Sequence, residues 1–162
     1  MANKHPIELF MPPNMLKAKV GGTVTGMDMA ALSRAEKAMD TLKSDFDEWF
    51  TSDVERLTAC RDAFAANRDT KTRDDLFRAG HDIRGQAATF EFPMVARVAA
   101  SLCKLIEGLP AADKIPLLMV DAHVTAIRII VRDKIKDISN RMATELIKEL
   151  EARVGEITAA AA

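Results

Sequence analysis

The chain has 162 residues, 48% of them apolar and only 5% aromatic, with no tyrosine. That length suits one globular domain, and an abundance of Ala, Leu, Met, Lys, Arg, Asp and Glu favours helices over sheets, so an all-α fold is expected. Lys and Arg number 23 against 24 Asp and Glu, so no global field draws in nucleic acid or an anionic membrane, and recognition has to be local.

Residues 1–27 are broken by Pro6, Pro12, Pro13, Gly21, Gly22 and Gly26 and read as an irregular N-terminal tail. The tail carries Ile7, Leu9, Phe10, Met11 and Leu16, but not the uninterrupted apolar run of a secretory signal. No segment approaches a membrane span, and the chain is expected in the cytoplasm. A first helix should open with Asp28 as N-cap and reach Phe50, because Leu32, Ala35, Met39, Leu42, Phe46 and Trp49 recur at steps of three and four, which reads as a core stripe. Ser52 and Glu55 form a capping-box pattern for a shorter second helix, with Val54, Leu57 and Phe64 inward and a stop near Asn67.

A third helix is predicted over about Thr72–Phe90. Pro93 suits the first turn of a fourth, which packs through Val95, Val98, Leu102, Leu105 and Ile106 and ends at Gly108 and Pro110. After Pro116 a fifth helix shows Leu117, Val120, Val124, Ile127, Val131 and Ile135. A last one runs through Met142, Leu146, Leu150 and Val154 to Gly155, with a weak break at Ser139 and Asn140 between them. Connections this short make neighbours antiparallel. The expected architecture is an antiparallel four-helix bundle over residues 28–157 with one or two additional short helices, a frayed end at 158–162, and no partner copy: a monomer.

The third helix carries the chemistry. Leu76, Ile83 and Phe90 are seven apart, so successive members align within roughly 20° and, with Ala79 and Ala87, define the buried stripe. His81 then lies about 160° from Ile83 and faces away from the core. That phase argues against a satisfied core or boundary histidine, and a merely solvated one has to be judged by its neighbours. Phe77, Gly85, Ala88 and Phe92 fall within about 40° of His81, with Arg78 and Arg84 about 60° to either side. A solvated helix face would carry Lys, Glu and Gln there. Small and apolar residues around one imidazole read instead as a flat docking surface.

Glycine inside a helix costs about 1 kcal/mol relative to alanine. Gly80 lies about 60° from the core stripe and can serve close helix packing, whereas Gly85 lies on the histidine's own face, where clearance for an approaching partner accounts for it. Arg84, one turn from His81, can offset the roughly two negative charges of a phosphoryl group on the imidazole.

His81-Asp82-Ile83-Arg84-Gly85 resembles the signature of the histidine-containing phosphotransfer (Hpt) family, His-x-Leu-Lys-Gly. Arg84 stands for the lysine and keeps the charge. Glu91 stands where the family commonly has a second glycine after the helix, which bears on the turn into the fourth helix. The resemblance implies a phosphorelay intermediate that moves a phosphoryl group between receiver-domain aspartates through His81. Its partners would be response-regulator receivers and possibly a hybrid sensor kinase, and Mg²⁺ would sit on the receiver, with no intrinsic cofactor. No Gly-rich phosphate loop and no acidic metal pair accompany His81, so the chain reads as a carrier rather than an enzyme with an ATP site. A helical adaptor that binds receivers or kinases without transfer is the alternative. His5, in the tail, and His123 read as solvated or structural, Cys60 and Cys103 as buried reduced thiols. No residues have metal-ligand spacing.

Overall fold

A computed structural model describes residues 29–161, with the side chains at 29, 40 and 43–47 excepted. The tail at 1–27, the Asp28 cap and the Phe46 side chain therefore lie outside the described residues. Among those described, the chain forms five α-helices: α1 (Met29–Ala66), α2 (Thr70–Ala87), α3 (Pro93–Gly108), α4 (Leu117–Arg132) and α5 (Arg141–Ala161), with one 3-10 turn at Ala112–Lys114. The fold is all-α, as expected. The chain divides into two units, one through Asp40 and one from Thr41, and the bundle belongs to the second.

The two helices expected before Asn67 are one. Thr51, Ser52 and Asp53 cost only a few tenths of a kcal/mol each inside a helix. Phe50, Val54, Leu57 and Phe64, all buried, continue one helical face across them, and each large side chain is worth about 1.5–3 kcal/mol of burial. Burial wins, and Ser52 and Glu55 are ordinary exposed helix residues rather than a capping box.

The apolar stripe expected to pack in the core from Leu32 to Trp49 does not. Leu32, Ala35, Met39, Leu42 and Trp49 are exposed. Periodicity identifies an apolar face but not an element that covers it, and α1, at 38 residues, is about twice as long as the bundle's other helices.

The core is organised around α3, which touches α2, α4 and α5, while α4 also meets α5. Its wide apolar face buries Met94, Val95, Val98, Ala99, Leu102, Cys103, Leu105 and Ile106. Two ion pairs tie α1 to its neighbours, Arg56 to Asp82 of α2 and Arg61 to Asp121 of α4. Pro93 takes the predicted first turn of α3. At the other end of the bundle α5 runs past Gly155 to Ala161, because Ile157 packs on the core and Thr158 closes against Gly108, where any side chain would collide with it.

The end of α2 differs from the expected helix through Phe90. Glu91 has φ 61, the Glu91 N–H donates to the Ala88 carbonyl at 3.2 Å, and the Phe92 N–H donates to the Ala87 carbonyl at 2.8 Å. That pair of bonds around a left-handed residue is a Schellman closure. Lys134 (φ 50) closes α4 in the same way, and the Asn140 side chain then caps α5 by accepting from the Ala143 N–H at 3.0 Å.

Candidate functional site

The start of α2 is set by a capping box two residues earlier than expected. The Asp69 carboxylate accepts from the Thr72 N–H at 2.8 Å, which holds its pKa below the ordinary value, and the Thr72 hydroxyl receives the Asp69 N–H. From there the helix presents Leu76, Ala79, Gly80, Ile83 and Ala87 to the core, all buried. With that face held, His81, Arg84, Gly85, Arg78 and Ala88 come out exposed on the rest of the surface.

The imidazole of His81 makes no hydrogen bond among the described residues. Its nearest ring is that of Phe77, half-buried, with centroids 6.1 Å apart and planes inclined at 37°. This contact lies against one side of the imidazole of an otherwise exposed residue. Arg84, exposed one turn from His81, makes no ion pair among the described residues. Arg78 lies only 3.8 Å from Asp75, in an exposed pair of small energetic weight.

The two glycines separate as the helical phase predicts. A Cβ on Gly80 would touch Leu102 Cδ2 at 3.5 Å and Cys103 Sγ at 3.6 Å, whereas one on Gly85 would meet nothing within 4 Å. Nothing inside the fold requires Gly85 to be small.

Phe92 is a correction. Expected on the docking face, it is 3% exposed and belongs to the core, with its ring stacked on Phe50 at 5.5 Å. The helical phase that placed it beside His81 ends at Ala87, and the left-handed turn at Glu91 swings the following residue inward. Phe90 joins the same cluster at 4.7 Å from Phe50.

One neighbour of the site was not foreseen. Arg56 of α1 donates to the Asp82 carboxylate at 2.5 Å, a bond that raises the Arg56 pKa above its ordinary value. The acid next to His81 in the chain is thus held towards α1 and competes for neither the imidazole nor Arg84. Arg56 and Asp82 are 26 residues apart, and no local pattern announces the pair.

The remaining candidates are structural. His123 is fully buried, its Nδ1–H donating to the Met119 backbone carbonyl at 2.6 Å while Nε2 accepts from the Ser101 hydroxyl at 3.0 Å, and burial lowers its pKa. Both cysteines are free. Cys60 is half-buried rather than buried, and burial pushes the Cys103 thiol up to about 11, with the Arg84 charge only partly offsetting it. Among the described residues no group of three or more His, Cys, Asp or Glu could hold a metal ion, and no helix is long and apolar enough to cross a membrane.

The site is thus an exposed histidine on a helix held by one buried face, followed at three and four residues by a cation and a glycine. The family model for the Hpt domain matches residues 46–152, well over half of the chain. The chain belongs to the Hpt domain family. Hpt domains are phosphotransfer carriers of phosphorelay signalling, not enzymes with ATP sites of their own, and they interact with receiver domains and kinases. Comparison with curated proteins and with solved structures gives no match. The matched span of this Hpt domain takes in α2 whole, and with it His81, Arg84 and Gly85.

Proposed function

We propose that His81 is the phosphoacceptor of a multistep phosphorelay, taking a phosphoryl group from a receiver aspartate and passing it to another. A neutral imidazole nitrogen attacks phosphorus, the N–P bond forms as the P–O bond to the aspartyl carboxyl breaks, and the carboxylate leaves. The reverse sequence reloads a second receiver. Arg84 stabilises the charge on the transferred group, and open space above Gly85 admits the receiver's active-site loops. Phe77, Arg78 and Ala88 form the surrounding docking surface. Mg²⁺ and the in-line geometry belong to the receiver, so the chain acts as a carrier, in the cytoplasm where receivers work.

The observation that carries this reading is the exposed imidazole of His81, free of hydrogen bonds to the described residues and flanked on its helix by the exposed Arg84 and the unobstructed Gly85. Incubation with a phosphorylated receiver is expected to label the protein with acid-labile, base-stable phosphate, and His81→Gln to abolish the label while still binding the receiver. Label of equal extent on His81→Gln would sink the assignment. Receiver binding with no label on the wild type would instead identify an adaptor.

A further inference from the structure

The side of α2 turned towards α1 carries four charges of alternating sign, Lys71, Asp75, Arg78 and Asp82, at steps of four, three and four. All four fall within about 60° of one another around the helix, a spacing that pairs opposite charges one turn apart. The first two rungs of this ladder are made, Lys71 to Asp75 at 3.1 Å and Arg78 to Asp75 at 3.8 Å. Arg78 and Asp82 have the spacing of the first rung. Asp82 nevertheless accepts from Arg56 of α1, at 2.5 Å.

Arg56 is itself steadied on α1, where its Nε lies 3.8 Å from Asp53 one turn back. Linked charges of this kind hold their geometry better than an isolated exposed pair. The effect falls on Arg78. Its remaining partner, Asp75, is shared with the nearer Lys71, so Arg78 is the least neutralised cation of the ladder, exposed and about 60° round the helix from His81.

We propose that Arg56 is a positioning residue of the docking face: by holding Asp82 on α1 it withholds from Arg78 the carboxylate that α2 would otherwise supply, and leaves Arg78 to meet acidic groups of the receiver. This role rests on the docking of the receiver over His81. Without Arg56 the ladder closes, Asp82 takes Arg78 at the four-residue spacing, and the face loses a cation that it had available. Receiver affinity falls although neither Arg56 nor Asp82 need touch the receiver.

The full-length wild type, Arg56→Met, Asp82→Asn and the double variant can be titrated calorimetrically with one receiver domain that binds the wild type saturably. Arg56→Met should bind about threefold more weakly. Asp82→Asn breaks the same bond but leaves no carboxylate to redirect, so it should bind at least as tightly as wild type, and in the double variant it should restore the affinity that Arg56→Met loses. Arg78→Met should cost about threefold in the wild type and little more in the Arg56→Met background, where Arg78 is already engaged. If Arg56 only fastens α1 to α2, Asp82→Asn will be as weak as Arg56→Met and will rescue nothing, and that pattern overturns the positioning role. Wild-type affinity in Arg56→Met overturns it too, as does an Arg78→Met loss that is equal in both backgrounds. Transfer is judged separately by labelling the wild type: the expected affinities together with an unlabelled wild type would sink His81 as acceptor and uphold Arg56.

Discussion

Gly80 and Gly85 lie five residues apart in the middle of α2, and they offer a way to separate stability from transfer. Replacing an interior helical glycine by alanine is worth about 1 kcal/mol of helix propensity if the new methyl has room. At Gly85 it would have nothing within 4 Å, and at Gly80 it would make ordinary contacts at 3.5 and 3.6 Å with Leu102 and Cys103. Both alanine variants should therefore be more stable than wild type by up to about 1 kcal/mol, a rise of a few degrees in melting temperature for a domain of this size. Their effects on transfer should diverge. Gly80 faces α3 and is buried, so Gly80→Ala should exchange phosphate at the wild-type rate. Gly85 faces the incoming receiver. Gly85→Ala should slow transfer modestly, and Gly85→Gln, a good helix former with a long polar side chain, should slow it at least about tenfold, equivalent to about 1.4 kcal/mol of activation free energy. Urea denaturation gives the stabilities, and rapid-quench transfer from a labelled receiver at limiting concentration gives the rates. A Gly85→Gln protein that is folded and transfers as fast as wild type would refute the clearance argument. A Gly85→Ala protein less stable than wild type would refute the claim that the position has no internal role.

Glu91 is held at φ 61, a conformation that costs an L-residue about 1–2 kcal/mol, while its exposed partner Lys136, at 3.5 Å, contributes close to nothing. After about 0.4–1 kcal/mol of extra unfolded-state entropy for glycine, Glu91→Gly should stabilise the protein by about 0.5–1 kcal/mol in urea titrations, and Glu91→Ala should not. A destabilised Glu91→Gly would contradict the left-handed closure. His123 is buried with a lowered pKa, so below about pH 6.5 the unfolded chain binds the proton that the folded one refuses, and stability is lost as pH falls. The loss should approach about 1.4 kcal/mol per pH unit until the folded-state pKa is reached, a slope that His123→Gln should lack and that equal slopes for the two proteins would disprove.

The legible part of this protein is the part whose face is fixed by a long, regular repeat. Leu76, Ala79, Ile83 and Ala87 keep one phase over three turns, and from that phase alone the outward direction of His81 and the different duties of Gly80 and Gly85 follow. The pairing of Arg56 with Asp82 was invisible because it joins residues brought together only by the packing of α1 on α2. The single long helix α1 was hidden by Ser52 and Glu55, whose capping pattern is a weak local preference, outweighed once Phe50 and Val54 are both buried.

The misplacement of Phe92 has a more specific origin, and it runs through the one residue at which this chain departs from its family's turn. A glycine at position 91 would have marked a helix end, since glycine is the residue that takes the left-handed C′ position without strain. Glutamate carries no such mark, so the helical phase extends in the sequence through Phe90 to Phe92 and puts that ring beside His81. In the folded chain Glu91 adopts the glycine conformation all the same. What compels it lies on either side: the Phe92 ring stacks on Phe50 under the cation of Lys136, 4.9 Å from its centroid, and Pro93 has to begin α3. Burying Phe92 is worth about 1.5–3 kcal/mol, more than the strain at Glu91. The closure of α2 is thus imposed by the residue after the turn rather than by the residue in it, and the His81 helix ends in a left-handed turn without a glycine there.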